Sequence, residues 1–177
     1  MKPRLIVLSD IWGIEKSDWV VNYVKILETE FDIKYYDSCK LGKVSKNIYE
    51  ESSLHSQFLE RGISTATDRL LELEKGKVTI LAFSIGGTIA WKAALKGLDV
   101  NKFYAISSTR LRYETTKPEG CIKLFFGEYD DFKPEANWFE QLRVDHEISR
   151  GKKHQMYTDK NYAIKISNEI KRRVNIQ

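Results

Sequence analysis

Short uninterrupted apolar runs alternate along this chain with longer stretches whose apolar residues recur at helical spacing. The first pattern is that of a strand covered on both faces, and the second that of an amphipathic helix. Residues 5–8, all apolar, predict a first strand. Residues 18–30 carry Trp19, Val20, Tyr23, Ile26 and Leu27 as a helical stripe. Residues 33–36 predict a second strand, and the polar, Lys- and Ser-rich stretch 37–51 a loop with room for one short helix. Leu54, Phe58, Ile63, Ala66, Leu70 and Leu73 predict one helix over 54–74, ended by Gly76. Residues 78–82 predict a third strand, 86–96 a helix, 102–107 a fourth strand and 121–126 a fifth. A short helix over 135–142, a candidate sixth strand over 143–149 and a closing helix over 160–174 complete the pattern. Such alternation implies parallel strands joined by right-handed crossovers. The expected fold class is α/β: a three-layer α/β/α sandwich with a mostly parallel sheet of about six strands. Without repeats, low-complexity tracts or linkers, residues 1–177 read as a single domain.

Composition narrows the class of protein. At 42% hydrophobic and 31% charged, the chain is that of a soluble globular protein long enough to bury a core. The net charge of +4 is mild and its cations are scattered, with only short runs such as Lys152-Lys153 and Arg172-Arg173, so nucleic-acid binding is not expected. Cys39 and Cys121 are far apart and make no disulfide framework, which fits a reducing compartment. No apolar run reaches transmembrane length, and residues 1–8 turn polar too soon for a signal peptide. A cytoplasmic protein with no membrane partner is expected. Phosphate-binding loops of the Walker A or G-x-G-x-x-G type are absent, and three His and two Cys are dispersed without metal-ligand spacing. The expected cofactor is none, and the expected metal none.

The strongest chemical signal is the stretch from Val78 to Ala90. A β-branched run breaks at Ser84, flanked two residues away on each side by Ala82 and Gly86, and continues as an Ala-rich helix. That is the A-x-S-x-G form of a nucleophile elbow, in which small flanking residues permit a tight strand-to-helix turn. The helix start aims backbone N–H groups toward the serine oxygen. A serine at such a turn also serves elsewhere as a plain N-cap. A serine nucleophile needs a base, and the base an orienting carboxylate. Asp130 and Asp131 follow the fifth strand, and His154 lies between the last strand and the last helix. All would emerge at the C-terminal rim of the sheet, where open α/β sheets place their sites. Asp130 is favoured over Asp131, although either could cap the region of Pro134 or face water. His55 and His146 fall off that rim in this reading and are taken as structural.

These residues resemble the α/β-hydrolase superfamily over nearly the whole chain. The elbow matches at Ala82, Ser84, Gly86 and Gly87, the G-x-x-D segment at Gly127 and Asp130, and the glycine-containing turn before the histidine at Gly151 and His154. The resemblance implies Ser84 as nucleophile, His154 as general base then acid, Asp130 as the acid that holds the imidazole, and the Ile85 amide as one oxyanion donor. Trp12-Gly13 and Trp19 align with the H-G-W-G…W form of esterases resembling the pimeloyl-carrier-protein methyl esterase, which implies the Trp12 amide as second donor. Asp10 and Ile11 depart from that form, since histidine and glycine usually stand there. A carboxylate near an oxyanion opposes the developing charge unless it points away. Trp12 also reads as a rim aromatic packing the first helix.

Most members of that superfamily carry a helical cap where this chain has only the residues between Ser107 and Cys121. The family's first two strands also have no counterpart here. The resemblance therefore implies a compact, uncapped serine hydrolase with an open site. Its expected partner is a small-molecule or carrier-linked ester or thioester. Arg110 and Arg112, or the loop of Lys40, Lys43 and Lys46, are candidates to attract an anionic acyl group or carrier; a solvated surface is the plainer reading. The competing functions are acyl transfer on the same fold, and an inactive α/β-hydrolase-like binding protein, which Asp10 favours.

Overall fold

The computed structural model describes residues 2–174. Met1 and residues 175–177, the extremes of the expected domain, lie outside the described residues. The strands are β1 (Arg4–Leu8), β2 (Asp32–Tyr36), β3 (Val78–Phe83), β4 (Val100–Ile106), β5 (Cys121–Tyr129) and β6 (Asp145–Lys153). They form one six-stranded sheet in the order β2-β1-β3-β4-β5-β6, with every pairing parallel. The α-helices are α1 (Val21–Leu27), α2 (Ser38–Gly42), α3 (Glu51–Gln57), α4 (Ile63–Leu73), α5 (Ile85–Leu95), α6 (Ala136–Leu142) and α7 (Lys160–Val174).

Alternation along each strand divides the core in two, because successive side chains point to opposite faces. Ile6, Leu8, Ile80, Ala82, Phe103, Ala105, Leu124 and Phe126 meet α4, α5 and α6 on one face. Leu5, Val7, Leu81, Phe83, Tyr104, Ile106 and Phe125 meet α1 and α7 on the other. β3 is buried at every position, as the apolar run predicts for a central strand. The outer strands β2 and β6 are mostly exposed or half-buried, which is how sheet edges read.

Three expected elements differ in detail. The stripe over 18–30 begins as a 3₁₀ turn, Asp18–Val20, and becomes α-helical only from Val21. The tight turn seats Trp19 against Phe83, with ring centres 4.7 Å apart. The single helix expected over 54–74 is three pieces: α3, a π turn over Phe58–Gly62, and α4. The bend lies where α2 crosses, with backbones so close that a Cβ on Gly42 would stand 2.8 Å from the Gly62 carbonyl oxygen. The sixth strand runs on to Lys153, four residues past its expected end, because backbone pairing to β5 continues after the apolar pattern stops at Ile148. Between β4 and β5 only the short 3₁₀ turn Leu111–Tyr113 occurs, so no cap covers this edge of the sheet.

Candidate active site

Ser84 sits between β3 and α5 with φ 50° and ψ −119°. A non-glycine residue in this region is strained, and the surroundings must hold it there. Two contacts do so. The Ser84 N–H donates to the Ile106 carbonyl at 3.0 Å, and α5 lies hard against the end of β1. A Cβ on Gly86 would come within 2.5 Å of the Ser9 carbonyl oxygen and 2.9 Å of Leu8. Only glycine allows that approach, which is the local reason for the small residue in the elbow.

The candidate acid and the candidate base arrive on paired strands. Tyr129, the last residue of β5, is in register with Lys153, the last of β6. Asp130 and His154 are the next residue on each, so the same pairing delivers both to one place. Gly127 keeps the two strands close, since a Cβ there would drive into the Lys152 carbonyl. His154 Nδ1 lies 3.0 Å from both Asp130 carboxylate oxygens, and its Nε2 lies 3.1 Å from Ser84 Oγ. With the proton on Nδ1, the ring donates to Asp130 and accepts from the serine hydroxyl. Asp130 is 1% exposed, and its Oδ1 also accepts the Phe132 N–H at 2.9 Å. Its neighbour Asp131 faces solvent. Ser84 is 4% exposed. The His154 side chain is 22% exposed. Ile85 opens α5, and first-turn N–H groups have no acceptor within their own helix.

The loop after β1 holds a difference from expectation. The Trp12 N–H, the expected second oxyanion donor, donates to Asp10 Oδ1 at 3.0 Å. Asp10 is 2% exposed, and its Oδ2 accepts the Tyr157 hydroxyl at 3.2 Å. Burial pushes the Asp10 carboxyl up to about 6; the bonds from Trp12 and Tyr157 and the nearby His154 pull the other way. Burial likewise raises the Tyr157 phenol well above its ordinary range, so it stays a donor. Tyr157 is wedged against Trp19 and Phe83 at ring-centre distances of 4.9 and 5.6 Å, and its carbonyl accepts from Tyr23. The Trp12 ring packs edge-on to Tyr49, whose hydroxyl donates to the Trp12 carbonyl at 2.6 Å.

Ser84 and His154 open into a cavity of about 240 Å³, whose walls include Ile11, Trp12, Thr109, Arg110, Arg112 and Phe132. Glu51 and His55 also line it. His55 is therefore not off the rim as the sequence reading has it. α3 begins at Glu51 and not near Leu54, which turns His55 toward the cleft. His146 does stay away: it stacks on Phe139 with ring centres 3.9 Å apart. The lysine loop takes no part in the cavity wall; Lys46 is engaged by Asp37 and Glu15. Among the described residues no cluster of His, Cys, Asp and Glu has the geometry of a metal site, and no helix is long and apolar enough to cross a membrane.

No protein-family model matches this chain, and no curated relative matches it by sequence. Solved structures do match along its length. A protein of Xanthomonas campestris pv. campestris assigned to the alpha/beta hydrolase superfamily is 14% identical, with a TM-score of 0.70 over 97% of this chain and 99% of its own. The Paleococcus ferrophilus monoacylglycerol lipase is 12% identical, with a TM-score of 0.69 over 96% of this chain and 93% of its own. Est1E from Butyrivibrio proteoclasticus, solved with ferulic acid, is 11% identical, with a TM-score of 0.69 over 99% of this chain and 89% of its own. At such identities the likeness speaks to architecture alone. Superposition over nearly the whole chain shows that its parallel six-stranded sheet and flanking helices have the α/β-hydrolase fold.

Proposed function

We propose that this protein is a serine hydrolase that cleaves a carboxylic ester or thioester through an acyl-enzyme. The observation that carries the reading is the continuous line from Asp130 through His154 to Ser84, at 3.0 and 3.1 Å. In the first half-reaction Ser84 Oγ attacks the carbonyl carbon and His154 Nε2 takes the hydroxyl proton. Asp130 stabilises the imidazolium. The carbonyl π electrons move to oxygen, where the Ile85 N–H meets them. The tetrahedral adduct collapses, the bond to the leaving oxygen or sulfur breaks, and Nε2 returns the proton to that atom. Water repeats the sequence on the acyl-serine, releasing the acid. An alcohol or amine in place of water would make the same machinery an acyltransferase.

The Trp12 amide serves as second oxyanion donor only by sharing its proton with, or leaving, Asp10. That contact is the observation favouring the rival reading of a binding protein on a hydrolase fold. Fluorophosphonate labelling and burst release from p-nitrophenyl acetate separate the two. A hydrolase labels, gives a burst, and loses both on Ser84→Ala. A protein that neither labels nor turns over refutes the enzymatic reading. The substrate is a small molecule or a carrier-linked acyl group. The cytoplasmic setting rests on Cys39 and Cys121, both free thiols.

A further inference from the structure

The cavity in front of Ser84 carries a charge arrangement that acyl transfer to serine does not itself need. Arg110 and Arg112 flank Leu111, which is fully buried and pins the 3₁₀ turn between them. Arg110 adopts a left-handed backbone conformation, φ 64°, uncommon for a residue with a side chain of this size. Both arginines are half-buried and both line the cavity. Both guanidiniums lie over the Tyr113 ring, at 5.0 and 4.7 Å from its centre. Arg112 also donates to the Phe132 carbonyl at 2.9 Å. Among the described residues Arg4 and Arg173 are the arginines that meet carboxylates; Arg110 and Arg112 do not. Arg110 is thus held by an aromatic contact and Arg112 by aromatic and backbone contacts, neither within ion-pair distance of a carboxylate and both with donors unused.

We infer that Arg110 and Arg112 form an anion subsite, so that the preferred substrate is a short ester or thioester with a second, ionised carboxylate on its acyl chain. The inference rests on Ser84 being the nucleophile. Geometry sets the length. Arg112 Cζ and the His154 ring lie 5.6 and 5.0 Å from the centre of the Phe132 ring, so they cannot be more than about 11 Å apart. A cavity of about 240 Å³ accommodates a chain of that reach and little more. Charge sets the class. Glu51 is the carboxylate among the cavity's lining residues, and it offsets part of the charge of the two arginines. A partly offset pair of guanidiniums matches a monoanionic carboxylate better than a dianionic phosphate. The guanidinium fork also matches a carboxylate in shape.

The test compares monomethyl glutarate with methyl glutaramate, the same ester with an amide in place of the carboxylate. Calorimetric titration of Ser84→Ala protein keeps both esters intact. Turnover by the wild type is followed by methanol release. The anion is expected to bind, and to be turned over in kcat/KM, about tenfold to a hundredfold better than the amide, the usual range for a charge-assisted hydrogen bond. In Arg110→Gln/Arg112→Gln protein that ratio falls to about one, and Lys at both positions restores part of it. The ratio cancels any general loss from a disturbed turn. An equal affinity for the two esters in Ser84→Ala protein, or a preference that survives the double substitution, overturns the subsite. Tighter binding of the phosphonate analogue overturns the choice of carboxylate. Fluorophosphonate labelling that succeeds while the ratio is one leaves the hydrolase reading standing. Absent labelling with a high binding ratio would leave the subsite and remove the hydrolase.

Discussion

Replacing Asp130 by Asn tests the line of contacts at its most buried member. Both carboxylate oxygens stand 3.0 Å from His154 Nδ1, which puts the centres of carboxylate and imidazolium about 4 Å apart. Opposite charges at that separation attract by about 4 kcal/mol at an effective dielectric of about 20. This attraction exists only while the imidazole carries the serine proton, so it belongs to the transition state. Asn keeps the shape and loses the charge, which predicts a fall of about 10³ in kcat/KM. An Asn that also favours the wrong imidazole tautomer takes the loss toward about 10⁴. The assay is hydrolysis of p-nitrophenyl acetate at pH 7.5, with the melting temperature recorded to confirm folding. Asp131→Asn is the control: its side chain faces solvent, and its rate should stay within about twofold of wild type. A folded Asp130→Asn protein that keeps more than about a tenth of the activity, or a larger loss at Asp131, would refute the assignment.

Other consequences can be measured directly. Asp10 titrates at about 6 in the fold against an ordinary 3.8, so the native state holds its proton more tightly than the unfolded chain. Its burial is therefore harmless below about pH 4 and costs stability progressively as pH rises through about 6, approaching about 3 kcal/mol at neutrality. Asp10→Asn, which retains an acceptor for the Trp12 amide, should gain that much over wild type at pH 7.5 relative to pH 4 in urea unfolding. A difference that ignores pH would contradict the linkage. Gly86→Ala forces α5 away from the Ser9 carbonyl and should cost about 1–3 kcal/mol along with most of the activity; wild-type behaviour in both would show that the elbow tolerates a Cβ.

The architecture was legible because the apolar runs are long where strands are central. β3 and its turn into α5 combine a fully buried run, small flanking residues and one hydroxyl, and few structures reconcile all three. The positions of Asp130 and His154 were legible for a topological reason, since each follows a parallel strand. Their exact convergence was not, because it depends on the Tyr129–Lys153 register, and the apolar pattern ends before β6 does. The place of His55 was not legible because α3 starts at Glu51 with no side-chain cap from Glu50 to mark that start. The hold of Asp10 on the Trp12 amide was hidden for another reason. It is a local turn whose stability depends on Tyr157 arriving from near the other end of the chain.

The proposed nucleophile and its base do not share the same security. Ser84 hangs from the innermost strand, whereas His154 hangs from the outermost, which has a neighbour on one flank only. Edge segments detach more cheaply than central ones, so fraying of this border would withdraw the imidazole while leaving the hydroxyl in place. The proposed hydrolysis should then cease at urea concentrations where tryptophan fluorescence still reports an intact core, and amide exchange along residues 145–153 should outpace exchange along 78–83.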